Sequence, residues 1–492
     1  MAAMKVRPLP HVLVPALAVA LAASARSQAT PQFQRSLLPG VQFPLATDVV
    51  FGDCDGDGDL EQFLLSSFGG KLYRNDGSGV FTDITVALPV LAGNQRTAAF
   101  VDIDGDGRRD LLLCWTGFAR LFRSMPDGSW LELPANLPPG LPTVHGALGV
   151  DLDGDGDEDL VCAGHILDGG RNQLLTNDGS GVFTASEPFP GTAFQALVED
   201  IDGDGDLDVL FARSGMQLWR NDGAGVFTDV SASQLPVGLG SPAGLAFGDV
   251  DGNGTRDLVL GASSLGDRVL ENDGLGTFTL GPTIPSGGLG SATTVALADV
   301  DADGDLDFVR GTANYGQPTL LLNDGFANFT NDPSRLPALT TFVAQMRAAD
   351  LDGDGDPDLV LSGLGVPPAV LWNLHRHLAE VAPPVVGALW ELDLASQPGY
   401  GEAGRFGLLA IGLGRLPAPL PIAPYGVLGL DPSAPFVTFA AAYGAGDAPF
   451  RFQLGVPGVS ALRGLPLYAQ GLVEEAAGGA LRFTALLATA IR

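Results

Sequence analysis

The sequence predicts an all-β protein, a seven-bladed β-propeller followed by a small β-sandwich-like domain. Three observations carry that reading. An acidic loop recurs seven times at near-constant spacing. Each loop sits in the same succession of short apolar runs. The chain of 492 residues holds 68 Gly and 36 Pro, a mix that suits short strands and tight turns more than long helices.

The loops begin at Asp53, Asp102, Asp151, Asp200, Asp249, Asp299 and Asp350, with successive spacings of 49, 49, 49, 49, 50 and 51. Periods of 40 to 50 residues built from short strands are the signature of propeller blades. Within each repeat an apolar stretch such as Thr97–Val101 runs into the loop. A second apolar run follows it, such as Leu258–Leu260, and then a third, such as Gln217–Arg220. An Asn-Asp-Gly turn (Asn75, Asn177, Asn221, Asn272 and Asn323 open the five copies) leads to a fourth strand that begins near a Phe. Asp-Gly is expected to supply the positive φ of a tight hairpin.

Two repeats depart from this plan. In the second, Ser124 stands where the others have Asn, and Asp127-Gly128 keeps the turn. In the seventh, the text after Trp372-Asn373 reads Leu374-His375-Arg376-His377, with no turn and no fourth strand. The segment Gln32–Pro39 resembles fourth-strand text such as Val226–Val230. The N-terminal strand is therefore expected to complete the last blade, closing the ring and removing two free sheet edges.

The loops themselves read as calcium sites, up to seven Ca2+ in all. The candidate ligands are Asp53, Asp55, Asp57, Asp59 and Glu61; Asp102, Asp104, Asp106, Arg108 and Asp110; Asp151, Asp153, Asp155, Asp157 and Asp159; and Asp200, Asp202, Asp204, Asp206 and Asp208. The remaining three loops give Asp249, Asp251, Asn253, Thr255 and Asp257; Asp299, Asp301, Asp303, Asp305 and Asp307; and Asp350, Asp352, Asp354, Asp356 and Asp358. Counting from the first Asp, positions 1, 3, 5 and 9 offer side chains. Position 7 is expected to offer its backbone carbonyl, which is why Arg108 and Thr255 are tolerated there. Gly occupies position 6 in every loop and permits the bend. Calcium takes several oxygens in a flexible shell, and alternate residues of a tight loop aim carboxylates at one centre. Seven loops of four such positions, less Asn253, hold 27 of the chain's 57 acids. Carboxylates that close repel one another strongly without a cation. An EF-hand is excluded, because its position 12 needs a bidentate Glu. Here that position is Leu64, Leu113, Cys162, Phe211, Leu260, Arg310 or Leu361.

The Asp-x-Asp-Gly-Asp-Gly-Asp-x-Asp loop, the Asp-Leu-(Val/Leu) strand and the Asn-Asp-Gly-x-Gly-x-Phe turn resemble FG-GAP/VCBS repeat proteins, similar in plan to the integrin α-subunit propeller. The resemblance covers residues 30–376. It implies a seven-bladed propeller with calcium between first and second strands, where calcium holds the blades and partners bind on other loops.

Outside the repeats, Lys5 and Arg7 precede an apolar run from Val12 to Ala23, and Ala23-Ser24-Ala25 offers a cleavage site. Residues 1–25 thus read as a signal peptide, giving a secreted, surface or periplasmic protein. Residues 377–384, with Pro383-Pro384, read as a linker. Residues 385–492 alternate apolar and polar, as in Trp390–Leu394 and Phe450–Leu454, and read as a second β domain. That domain resembles a C-terminal module of exported bacterial multidomain proteins.

The net charge of −31 argues against nucleic acid and anionic membrane as partners, and no apolar run is long enough to span a bilayer. Cys54, Cys114 and Cys162 form no metal or disulfide pattern and are expected as buried residues. The chain shows no nucleophile elbow, phosphate loop or zinc-protease motif. His145, His165, His375 and His377 form no ligand cluster in sequence. The expected function is a monomeric binding or adhesion propeller for extracellular protein or polysaccharide. The alternative is a propeller-scaffolded enzyme acting on polysaccharide.

Overall fold

A computed structural model describes residues 32–38 and 46–373, apart from 67–68, 78, 90–94, 165–168, 213–214, 224, 263–265, 286–291, 302, 313–316, 340–341 and 365–367. Beyond residue 373 it describes the backbone of strands between Leu378 and Ala490. The expected signal peptide and the His pair 375/377 lie outside the described residues.

Seven four-stranded antiparallel sheets form the propeller. Blade 2 shows the plan, with strands Gln95–Val101, Asp110–Trp115, Phe118–Ser124 and Trp130–Glu132. Blade 4 repeats it with Gln195–Glu199, Asp208–Ala212, Met216–Asn221 and Phe227–Asp229. In each blade the acidic loop joins the first strand to the second. The second strands, such as Asp159–Gly164, are buried throughout, which is why they read as unbroken apolar runs rather than as alternation.

The seventh blade contains Phe342–Ala349, Asp358–Leu364 and Ala369–Asn373, and its fourth strand is Phe33–Leu37 from the N-terminus. The register is that of the other blades. Phe33 pairs with Asn373 as Phe183 pairs with Asn177, Phe227 with Asn221 and Phe278 with Asn272. Blade 2 uses Trp130 opposite Ser124 in the same place. The aromatic residue at this point serves the blade-to-blade contact. Phe183 packs with blade 2 side chains such as Val101 and Leu112, and Phe33 packs with Val300 and Val309 of blade 6.

The core is accordingly divided. Seven buried clusters lie between neighbouring blades, one per interface, among the described residues. The last joins Val49, Leu64 and Tyr73 of blade 1 to Leu351, Val360 and Val370 of blade 7, closing the ring. Cys54, Cys114 and Cys162 are buried and unpaired, as expected.

After the propeller, strands fall into a three-stranded sheet (Leu378–Ala382, Leu389–Leu394, Phe450–Gly455), a four-stranded sheet and a two-stranded one. The stretch read as a linker therefore contains the strand Leu378–Ala382. Its backbone pairs with the strand Leu389–Leu394.

Candidate metal centre

Each acidic loop is shaped by its own first carboxylate. Asp53 Oδ1 accepts from the Gly56 N–H at 2.7 Å and Oδ2 from the Gly58 N–H at 2.9 Å. Asp151, Asp200, Asp249 and Asp350 repeat both bonds. Gly at position 6 takes φ between 84° and 100° in all seven loops, a left-handed conformation that side chains resist. Gly at position 4, present in six of the loops and replaced by Ala302 in the sixth, also takes positive φ, as at Gly203 with φ 75°.

The ninth residue has a second job. Asp208 is buried, and its two carboxylate oxygens accept backbone N–H bonds from Ile201 at 3.3 Å and from Asn221 at 2.8 Å. It thereby ties the loop to the third strand. Glu61, Asp110, Asp159, Asp257, Asp307 and Asp358 do the same in their blades. The longer Glu61 thus keeps both contacts. Burial pushes these carboxyls up: Asp208, Asp159 and Asp257 to about 6, Glu61 and Asp110 to about 7, and Asp307 to about 8.

The Asn of the Asn-Asp-Gly turn reaches across to the neighbouring blade. Asn221 Nδ2 donates to the Leu152 carbonyl, at position 2 of the blade 3 loop, at 2.7 Å. Asn177, Asn272, Asn323 and Asn373 each bond the corresponding carbonyl of the preceding blade, and Asn75 bonds Leu351 of blade 7. The Ser124 hydroxyl donates to the Cys54 carbonyl and fills the one position without Asn. A ring of seven polar clamps therefore links every loop to the next blade. From sequence this Asn looked like a turn former. The turn's positive φ falls on Gly alone, for example 81° at Gly223.

Three carboxylates converge in loops such as these, with one oxygen from each within 4.8 Å of the others: Asp53, Asp55, Asp57; Asp102, Asp104, Asp110; Asp151, Asp153, Asp155; Asp200, Asp202, Asp208; and Asp249, Asp251, Asp257. Asp104 Oδ1, Asp153 Oδ1 and Asp202 Oδ1 are buried with no hydrogen-bond donor. An ionised oxygen shielded from water and left without a donor is costly, and a cation is what such a site fits. The donors are all oxygens, which suits a hard divalent ion.

Other candidate residues stand differently. The position 7 side chains of Asp59, Asp157, Asp206 and Asp305 lie against the turn glycines Gly77, Gly179, Gly223 and Gly325, so close that a Cβ there would meet the carboxylate within 3 Å. Arg108 at position 7 pairs with Asp106. Thr255 Oγ1 donates to the Asn253 side chain, whose Nδ2 donates to Asp251 Oδ2 at 3.0 Å. The amide thus braces the fifth loop in place of a fourth carboxylate. In the seventh loop Asp352, Asp354 and Asp356 are buried, whereas Asp55 and Asp57 of the first loop are exposed.

The FG-GAP-like repeat family matches this chain four times, at residues 53–113, 151–211, 200–260 and 249–310. Comparison with curated proteins finds no match. Among solved structures, the chain is similar to an Agrocybe aegerita lectin described for specific recognition of non-reducing terminal N-acetylglucosamine. That pair shares 19% identity over 61% of this chain and 85% of the lectin, with a TM-score of 0.45. It is also similar to PorZ, a bacterial surface component of the type-IX secretion system of Porphyromonas gingivalis, at 13% identity and a TM-score of 0.44. There the match covers 88% of this chain and spans 58% of PorZ. With its acidic loops, clamps and aromatic positions recurring in register around one ring, the chain carries FG-GAP-like repeats on a seven-bladed β-propeller.

Proposed function

We propose that the chain is an exported, calcium-braced propeller that binds an extracellular protein or polysaccharide on the face opposite its acidic loops. In each loop the side chains at positions 1, 3, 5 and 9 and the backbone carbonyl at position 7 would hold Ca2+. Bound calcium supplies positive charge that offsets the clustered carboxylates. Oxygens that already accept an N–H bond keep a second lone pair for the ion. The ninth residue and the Asn clamp then transmit that bracing to the third strand and the adjacent blade.

The observation that carries the binding face is a set of exposed aromatic rings at one end of blades 2 to 4. Alternate strands run antiparallel, so the hairpins between second and third strands and the entries to the first strands share the end away from the acidic loops. At that end Phe118 is 51% exposed and stacks on Trp115, with ring centroids 5.0 Å apart. Phe194 is 53% exposed and meets His145 edge-on at 6.4 Å. The Gly117 N–H donates to the Thr143 hydroxyl at 3.1 Å, linking blade 2 to blade 3 at this end. Exposed aromatic rings beside polar groups suit both a sugar face and a protein side chain.

The test is a screen of immobilised glycans and surface proteins with the full chain, with and without chelator. Phe118→Ala/Phe194→Ala is expected to weaken a hit by about tenfold or more while leaving the melting temperature in place. A hit indifferent to both changes removes this face from consideration.

A further inference from the structure

The seven loops are not alike in the company they keep. In blade 4 Arg220, on the third strand next to the clamp residue Asn221, places its guanidinium 2.6 Å from Asp202 Oδ2 and 3.5 Å from Asp204 Oδ2. These are positions 3 and 5 of its own loop. In blade 2 Arg123, next to Ser124, does the same to Asp104 and Asp106, and Arg108 adds a second guanidinium on Asp106. The same third-strand position is Arg74 in blade 1, Thr176 in blade 3 and Glu271 in blade 5, and the last two cannot supply a positive charge; in blade 6 Arg335 lies 3.3 Å from the position 3 carboxylate of Asp301.

We infer that the loops form two classes of cation site, in which Arg123 and Arg220 compete with calcium for the position 3 and position 5 carboxylates. The inference rests on reading the loops as calcium sites and adds which of them fill last. The argument is one of charge and place. A guanidinium and a divalent ion held by the same pair of carboxylates repel each other strongly, even where they take different oxygens. The Arg220 side chain is 44% exposed and Asp202 only 4%. The carboxylate is therefore fixed in the loop, while the arginine can swing into solvent. Calcium entry at blades 2 and 4 carries the added cost of expelling the arginine, and blades 3 and 5 carry no such cost. When calcium is scarce the arginine stands in for it, so the loops of blades 2 and 4 keep their shape while those of blades 3 and 5 depend on the ion. The device grades the response of the ring to calcium rather than making it all-or-none.

Calorimetric calcium titration of the full chain tests this, using the native protein, Arg220→Ala/Arg123→Ala and, at equal side-chain length, Arg220→Gln/Arg123→Gln. The native protein is expected to show a tighter and a weaker phase. Both variants are expected to tighten the weaker phase by about two- to fivefold, the range set by exposed ion pairs. In chelator the same variants are expected to melt below the native protein, since their loops have lost the stand-in cation. Native binding with isotherms of the variants superimposable on it, or weakened, overturns the competition and leaves the calcium reading intact. A native titration that shows no calcium binding overturns both.

Discussion

At the scale of single residues, the ninth carboxylate and the clamp Asn link the acidic loop to the fold. Asn272 donates at 2.7 Å to the Ile201 carbonyl of blade 4 and at 3.0 Å to its own loop at Arg256, and it is buried. Asn272→Ala leaves the Ile201 carbonyl without this donor, so a loss of about 1–3 kcal/mol is expected in denaturant unfolding. The exposed Asp273→Ala in the same turn should cost less. Titration gives a second expectation. Burial raises Asp208 to about 6, Glu61 to about 7 and Asp307 to about 8, from starting values of 3.8, 4.5 and 3.8. A carboxyl raised in the folded state binds more protons folded than unfolded. Its contribution is full below the unfolded value and is lost as pH rises through the folded value. In chelator the melting temperature should therefore fall from pH 4 to pH 8. Calcium binds the deprotonated form, so saturating calcium should flatten or reverse that slope. Equal pH profiles with and without calcium would remove the ion from these loops.

At the scale of elements, the hairpin between third and fourth strands shows how local backbone rules are met and once broken. Gly79, Gly181, Gly225 and Gly276 follow the turn with φ between 68° and 80°. Blade 6 puts Ala327 there at φ 58°. Its methyl is buried beside Val250 and Phe308, and its N–H donates to the Val250 carbonyl at 2.8 Å. The left-handed conformation costs an L-residue about 1–2 kcal/mol, partly offset by burial of the methyl. Ala327→Gly is expected to stabilise the chain by at most about 1 kcal/mol, read as a rise in melting temperature. A drop would mean that the methyl's packing outweighs the backbone strain.

At the scale of the whole molecule, ring closure depends on a strand far from its blade in sequence. Phe33 fills the aromatic position between blades 6 and 7, and Leu38 packs with Val49 and Tyr73 of blade 1. Deleting residues 30–40 opens one edge of the seventh sheet and empties the Phe33 site. A buried Phe lost to Ala alone costs about 3–5 kcal/mol. The deletion is expected to lower the melting temperature of the propeller as a whole, by calorimetry, rather than to unfold one blade. A truncated chain melting like the native one would show that the seams between blades 6, 7 and 1 hold without this strand.

Much of this was legible in the repeat itself. A 49-residue period, Gly at a fixed place and alternate acids are local chemical requirements, and local requirements recur visibly in sequence. The blade count, the acidic loops and the exchange of the N-terminal strand into blade 7 follow from them. What the tertiary structure decided lies between strands and between repeats. Asn221 looks the same in sequence whether it makes a turn or bonds a carbonyl of the blade before it. Asp208 looks the same whether it serves only a cation or also ties strands together. Arg123 and Arg220 are ordinary strand residues until folding lays them on Asp104 and Asp202, and Phe118 and Phe194 come to the same end of the ring only when three blades stand side by side. Hydrogen bonds and charges act through distances of a few ångströms, whereas the sequence alone sets equivalent loop residues of neighbouring repeats at least 49 positions apart.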